Sequence, residues 1–367
     1  MGDGSVPARL SSPRSFLDDL LRAHGPSGHE EPAAAIWRAY AGSFARVSGD
    51  VLGNSYARVG PDVGPPVLLL GHLDEIGLIV THVEHEDADY DGLLRVRTLG
   101  TWDPQVLVGQ HVTVRTRTGE VPGVVGKGPR HLMTDADVGR ASAIHDLWVD
   151  IGAADADDAF AMIEIGDPLV IDRPPVDLAN GRVASKALDN RTGAWVVLEA
   201  ARRAAEAGSL RVPLVAGAPT IEETLGDGAR AMAHAVAPAV AIVVDVTHAS
   251  DIPGLDRGGT GRVRLGHGPV LTRGLGLHPG LEARLEEVAR AADISWQMEA
   301  MHVTSSTYTD VDGALNALTG TAAALVSIPL RHMHSPAEVC SLDDLEQAAE
   351  LIARFCLTLT PEDSWDR

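Results

Sequence analysis

Apolar positions recur along the chain in two textures, one at helical spacing between short, wholly apolar runs and one in brief strands broken by turns. Near the amino end, Phe16, Leu17, Leu20 and Leu21 share one face of a helix over residues 15–23, and a second helix over residues 30–44 begins near Pro32. Residues 67–70 are apolar without alternation, enter from Pro65-Pro66 and stop at Gly71, as a strand buried on both faces does. From Asn190 onward helix and strand alternate. Helices are expected over residues 192–207, near 229–235, over 280–292 and over 342–359. Strands are expected over residues 212–217, 240–245, 294–300 and 322–328. This alternation predicts a largely parallel sheet between layers of helices.

The middle of the chain reads differently. Between Leu78 and Pro175, short strands over residues 94–97, 110–116, 121–126 and 147–151 are separated by Gly, Pro and Asp clusters. That texture predicts a small β-rich domain, residues 78–175, inserted into an α/β domain made of residues 1–77 and 176–367. Arg173-Pro174-Pro175 forms a stiff exit. The acidic stretch from Glu84 to Asp91 reads as a solvated loop, and there is no internal repeat.

Composition narrows the partners. The 367 residues carry 30 Lys plus Arg against 51 Asp plus Glu, a formal net charge of −21. Nucleic acid and anionic membranes are excluded as partners, because both are bound chiefly by neutralising phosphates with cationic side chains. Aromatics are only 4%, with 38 Gly and 22 Pro, so an Ala/Val/Leu core with many turns is expected. Cys340 and Cys356 fall in one carboxyl-terminal segment of helical periodicity and read as reduced structural thiols. Residues 1–15 lack the apolar stretch of a secretory signal. The longest apolar run, residues 235–244, is interrupted by Pro238 and is too short to span a bilayer. A cytoplasmic protein is expected.

Placed on this outline, the metal-type residues gather. His72 and Asp74 follow one strand, Glu222 and Glu223 follow another, and Asp245 closes a third. Asp189 opens a helix, and His334 follows the strand at 322–328 by a short loop. Open α/β sheets bind ligands outside the carboxyl ends of their strands, so these residues should converge. Singly each has an ordinary reading: a core histidine, a helix N-cap, a solvated acid. Jointly, a carboxylate-rich set with two imidazoles suits Zn²⁺, Co²⁺ or Mn²⁺ rather than the thiolate cage of structural zinc. Open coordination positions would remain for water and substrate, as in a hydrolase.

Several segments carry a resemblance: Gly71-His72-Leu73-Asp74-Glu75-Ile76-Gly77, Lys186-Ala187-Leu188-Asp189-Asn190-Arg191, Ile221-Glu222-Glu223, Val244-Asp245-Val246-Thr247-His248 and His334-Ser335-Pro336. In this order they resemble the M42 family of metallo-aminopeptidases, the glutamyl and tetrahedral aminopeptidases, over residues 17–357. Leu99-Gly100-Thr101-Trp102 and Gly109-Gln110-His111-Val112 extend the likeness into the insert. The resemblance implies an α/β fold of the phosphorylase/hydrolase-like kind, a mixed sheet sandwiched by helices, with an inserted small β-barrel for dimerisation. It implies removal of N-terminal residues from short peptides, two divalent ions per subunit (Zn²⁺ or Co²⁺ foremost, Mn²⁺ also accepted), and a homo-oligomer built from dimers, in many members a dodecamer. Asp189 would bridge both ions, with His72 and Asp245 completing one site and Glu223 and His334 the other. Glu222 would be the general base activating a metal-bridged water, and Asp74 would orient His72.

The chain departs from the family at Tyr308, where members usually have Gly before the Thr-Asp matching Thr309-Asp310. A ring at a close-approach position would reshape the substrate pocket. His332 competes with His334 as a ligand, but the following Ser335-Pro336 favours His334, and His248 is placed at the rim or in a structural role. Gly25-Pro26-Ser27-Gly28 lacks the Lys of a phosphate-binding loop and reads as a plain turn into a helix. Other readings of the scaffold are a deacylase or other amidohydrolase, a glycoside hydrolase, and an inactive metal-binding assembly protein. Adjacent Glu222 and Glu223 do not form the separated carboxyl pair of a glycosidase.

Overall fold

The computed structural model describes residues 12–85, 91–134, 138–255, 261–274, 276–301, 306–317 and 320–366. The chain begins with α1 (Pro13–Arg22) and α2 (Glu31–Ala41), followed by β1 (Arg46–Gly49), β2 (Ser55–Val59) and β3 (Val67–Leu70). Next come β4 (Gly77–Val83), β5 (Leu94–Leu99), β6 (His111–Arg115), β7 (Glu120–Lys127), β8 (Leu147–Asp150), α3 (Ala156–Met162) and β9 (Pro168–Ile171). The hairpin β10 (Val176–Leu178) and β11 (Arg182–Ser185) leads to α4 (Leu188–Glu206), β12 (Leu214–Ala218), α5 (Asp227–Val236) and β13 (Val240–His248). The last elements are β14 (Val270–Arg273), α6 (Pro279–Ala291), β15 (Gln297–Ala300), α7 (Val311–Leu315), β16 (Ala322–Leu330), β17 (Glu338–Ser341) and α8 (Leu342–Thr358).

An eight-stranded sheet in the order β1-β2-β12-β3-β13-β16-β14-β15 forms the centre. Its four middle strands, β12, β3, β13 and β16, run parallel to one another. The expectation of a largely parallel sheet holds there. It fails at the flanks, where β2 joins β12 and β14 joins β16 antiparallel, so the sheet is mixed. β1, β2 and β14 have no counterpart among the expected strands. β1 is mostly exposed, with no alternation to read. Burial on both faces explains the apolar runs of the middle strands, since every residue of β3 and β12 is buried. α4 and α8 pack together against one face, and α5 with α7 against the other.

Local chemistry sets the element ends. Ser12 caps α1 with Pro13 in the first turn, so the helix starts three residues before Phe16, the first apolar position of its buried face. α2 stops at Ala41 before Gly42. Cys356 lies on α8 as expected, but Cys340 lies on β17 rather than in a helical segment; both thiols are free and buried, and burial pushes Cys356 up to about 12.

β4 to β9 close into a barrel in the order β4-β5-β8-β7-β6-β9, every pair antiparallel. Leu78, Val80, Val96, Val114, Val149 and Leu169 fill it. The barrel therefore has two strands, β4 and β9, beyond those the turn pattern marks, and α3 beside them. It is seated against the loop between α1 and α2: Arg115 of β6 donates to the carbonyls of His24 and His29, and Glu120 of β7 pairs with His24 at 2.9 Å. Part of the acidic stretch expected as a solvated loop, residues 86–90, lies outside the described residues. Among the described residues no helix is long and apolar enough to cross a membrane.

Candidate metal centre

The parallel middle strands bring their carboxyl ends to one rim. Leu70 of β3 pairs with Val243 of β13 and with Gly217 of β12, and β13 pairs with β16 along its length. Two residues beyond that paired Leu70 and Val243 stand His72 and Asp245. Glu222 and Glu223 lie in the loop after β12, and His334 in the loop after β16. Asp189 lies at the start of α4, where its own and Asn190's backbone angles are non-helical. Asn190 donates to the carbonyl of Val244 at 2.8 Å, which locks this start onto β13.

Asp189 is at the middle of the cluster. Its Oδ1 is 3.4 Å from His72 Nε2, and its Oδ2 is 3.4 Å from His334 Nε2. Glu223 Oε2 lies 3.4 Å from the same His334 nitrogen. His72 Nε2 also faces Glu222 at 3.6 Å and Asp245 at 4.0 Å. Two sets of donor atoms, His72/Glu222/Asp245 and His72/Asp189/Glu223, each fall within 4.8 Å. The structure thus brings together His72, Asp189, Glu222, Glu223, Asp245 and His334. His332 is exposed, and His248 is exposed at the end of β13.

Asp74 is fully buried, with Oδ1 3.2 Å from His72 Nδ1. An Nδ1–H donated there leaves Nε2 as the free lone pair facing the acids. The same carboxylate accepts the backbone N–H of Glu222 at 3.2 Å and of Glu223 at 3.0 Å, so it positions three members of the cluster at once.

The electrostatics call for cations. Burial, with the neighbouring acids adding, pushes Glu222, Glu223 and Asp245 well above the ordinary carboxylate range. Asp189 goes the other way: burial opposes its charge, but His334 and His72 outweigh burial. Burial alone would lower His72, yet Glu222, Asp189 and Asp74 raise it well above its usual value. Glu223 Oε1 and both carboxylate oxygens of Asp310 are buried with no hydrogen-bond partner. Buried acids in such density are stable only when paired, and divalent ions would neutralise the acids that otherwise drive a proton onto His72. Oxygen and imidazole donors at these spacings fit Zn²⁺, Co²⁺ or Mn²⁺.

Sequence reasoning missed several supporting residues that lie within or beside the motifs it used. Glu75 accepts from Lys186 at 2.7 Å and Arg191 at 2.9 Å, all three buried, which ties the loop after β3 to both sides of Asp189. Asp310, beside Tyr308, is buried and pushed up by burial and Glu222. Glu338 accepts from the backbone of Asp189 and His334. Gly25-Pro26-Ser27-Gly28 is more than a turn into a helix. Ser27 bonds Thr224 at 2.8 Å, and Glu30 accepts the N–H of Ile221 at 2.9 Å, so this loop braces the one that carries Glu222 and Glu223. Tyr308 corrects an expectation: it is 74% exposed with φ +54°, so glycine suits the position for its left-handed backbone rather than for close approach.

Residues 53–351 match the family described as M42 glutamyl aminopeptidase. The chain belongs to the M42 family. Like its M42 relatives it is a peptide hydrolase, and the family's chemistry is metal-dependent. The lysyl aminopeptidase of Pyrococcus furiosus is 33% identical over 319 residues, covering 86% of this chain and 87% of that one. A TET aminopeptidase from a marine sediment archaeon of the Thaumarchaeota superposes with a TM-score of 0.89 at 32% identity, over 95% of this chain and 96% of that one. The TET1 peptidase of Pyrococcus horikoshii, which assembles into a tetrahedron or a large octahedral shell, gives 0.83 at 26% identity, over 95% and 100%.

Proposed function

We propose that this M42 member is a dinuclear aminopeptidase that removes N-terminal residues from short peptides. The observation that carries the reading is Asp189, which turns one carboxylate oxygen to His72 and the other to His334, each at 3.4 Å, the arrangement a bridging ligand needs. In this reading His72 and Asp245 complete one site, and Glu223 and His334 the other. Zn²⁺ or Co²⁺ is the expected metal, with Mn²⁺ also accepted. When bound, the ions supply a water whose pKa falls toward ~7, polarise the scissile carbonyl and anchor the free α-amine, which confines cleavage to the first residue. Glu222 takes the proton of the attacking water and delivers it to the leaving amine. Asp74 keeps His72 in the tautomer that presents Nε2, and holds the backbone of Glu222 and Glu223 in register.

Residues 1–77 and 176–367 form the catalytic domain in this proposal, and residues 78–175 the dimerisation domain of a homo-oligomer that extends to a dodecamer. Its partners are short peptides and copies of itself, in the cytoplasm. A panel of aminoacyl chromogenic amides with N-acetylated controls tests the substrate class. Hydrolysis confined to free-amine substrates supports the aminopeptidase. Preference for the acetylated set overturns it in favour of a deacylase.

A further inference from the structure

We propose that Glu338 is a positioning residue of the metal centre, one carboxylate that spaces two ligand-bearing loops and thereby sets the affinity for the ion held by Glu223 and His334. This rests on the dinuclear reading above. Glu338 opens β17 and is 2% exposed. Its Oε1 accepts the backbone N–H of His334 at 2.9 Å, and its Oε2 accepts that of Asp189 at 3.1 Å. Neither N–H has a partner in regular structure. His334 is in a left-handed turn at φ +59° after β16, and Asp189 is in the first turn of α4, whose N–H groups have no intrahelical acceptor. Register puts the carboxylate there, because β17 pairs with β11 so that Glu338 stands opposite Ser185, four residues before Asp189.

Both oxygens are engaged, so Glu338 works through the ligands rather than as one of them. Only a carboxylate offers two acceptor oxygens to two converging donors. Gln keeps the volume but turns an NH₂ toward one of the N–H groups, donor against donor. Glu30 is a useful contrast, because its single Oε1 takes both Gly28 and Ile221, an arrangement Gln reproduces. Loss of the Glu338 clamp frees His334, which belongs to one ion only, and loosens Asp189, which is shared. The two ions should therefore respond unequally.

The test is competitive Zn²⁺ titration of the stripped full-length protein against a chelating indicator, with the melting temperature of each metal-free form recorded alongside. Wild type is expected to take up two ions, and His334→Ala to lose one. Glu338→Gln should weaken that same ion on the order of 10–100-fold, the usual effect of removing a group that orients a ligand, while the other ion changes far less. In the double variant the remaining ion should bind as in His334→Ala. Unchanged affinities for both ions overturn the proposal, as does equal weakening of both with a lowered metal-free melting temperature. If Glu338→Gln does not fold, Glu338→Asp, which keeps the charge but falls a methylene short, is judged by the same criteria. Fewer than two ions in wild type overturns the dinuclear reading itself, and this inference with it.

Discussion

Glu222 and Glu223 are neighbours with different proposed duties, and only substitution separates them, because the geometry puts Glu222 within ligand distance of His72 and Asp245. Glu222→Gln should keep both ions and substrate affinity while kcat falls on the order of 10²–10⁴, the worth of a positioned proton-transfer group. Glu223→Gln should lose activity in a way that excess metal partly restores. Metal content with kcat and KM checks this; equal metal loss in both variants contradicts the assignment. Glu30 makes a pH prediction. Burial and Asp74 hold its carboxyl up to about 7, above its ordinary 4.5. The stability it contributes is present below the lower value and is lost as pH rises through the upper one. Glu30→Gln retains both backbone acceptors and removes that loss. Its melting temperature at fixed metal concentration should gain on wild type from about pH 5 to about pH 8, and a difference flat in pH counts against the account. The proposed ligands were legible because each follows a strand or opens a helix that hydrophobic spacing reveals. Glu30, Asp310 and Glu338 were not, since an isolated acid carries no mark of the backbone N–H groups it will meet.

At the level of elements, the contact between the end of β3 and the start of α4 sets the spacing of His72 and Asp189. Gly71 permits it: a Cβ there would stand 2.4 Å from the backbone carbon of Gly193. Gly71→Ala must push strand and helix apart, at a cost of about 1–3 kcal/mol. Both melting temperature and metal affinity should fall, whereas Gly128→Ala, where a Cβ meets nothing within 4 Å, should change neither. Metal affinity unchanged in Gly71→Ala would show that the site does not depend on this contact. Elements buried on one face or both were readable from sequence, as α1, β3, β13 and α8 show. The missed ones have different reasons: β10 is exposed at every residue and has no pattern to read, whereas β9 is as fully buried as β3 but is a four-residue run set among turns.

The whole molecule joins a closed barrel to a mixed sheet through the loop that also braces Glu222 and Glu223, so the proposed association surface and the proposed catalytic loop share a support. At a net charge of −21 copies repel, and only a specific interface overcomes this. Light scattering at micromolar concentration in moderate salt should report a multiple of 38.6 kDa, and a monomer contradicts the proposed role of the barrel. The insert's β texture was visible in the sequence, and its closure into a barrel followed from the family likeness; the strand order was not legible, because it depends on pairings between distant segments. The account as a whole stands on two ions acting together at the rim. Protein stripped by chelator and titrated with Zn²⁺ or Co²⁺, while release of a free N-terminal residue from a chromogenic amide is followed, should stay inactive until the second ion per chain binds. Full turnover with metal content near zero, or full turnover at one ion per chain, would contradict it.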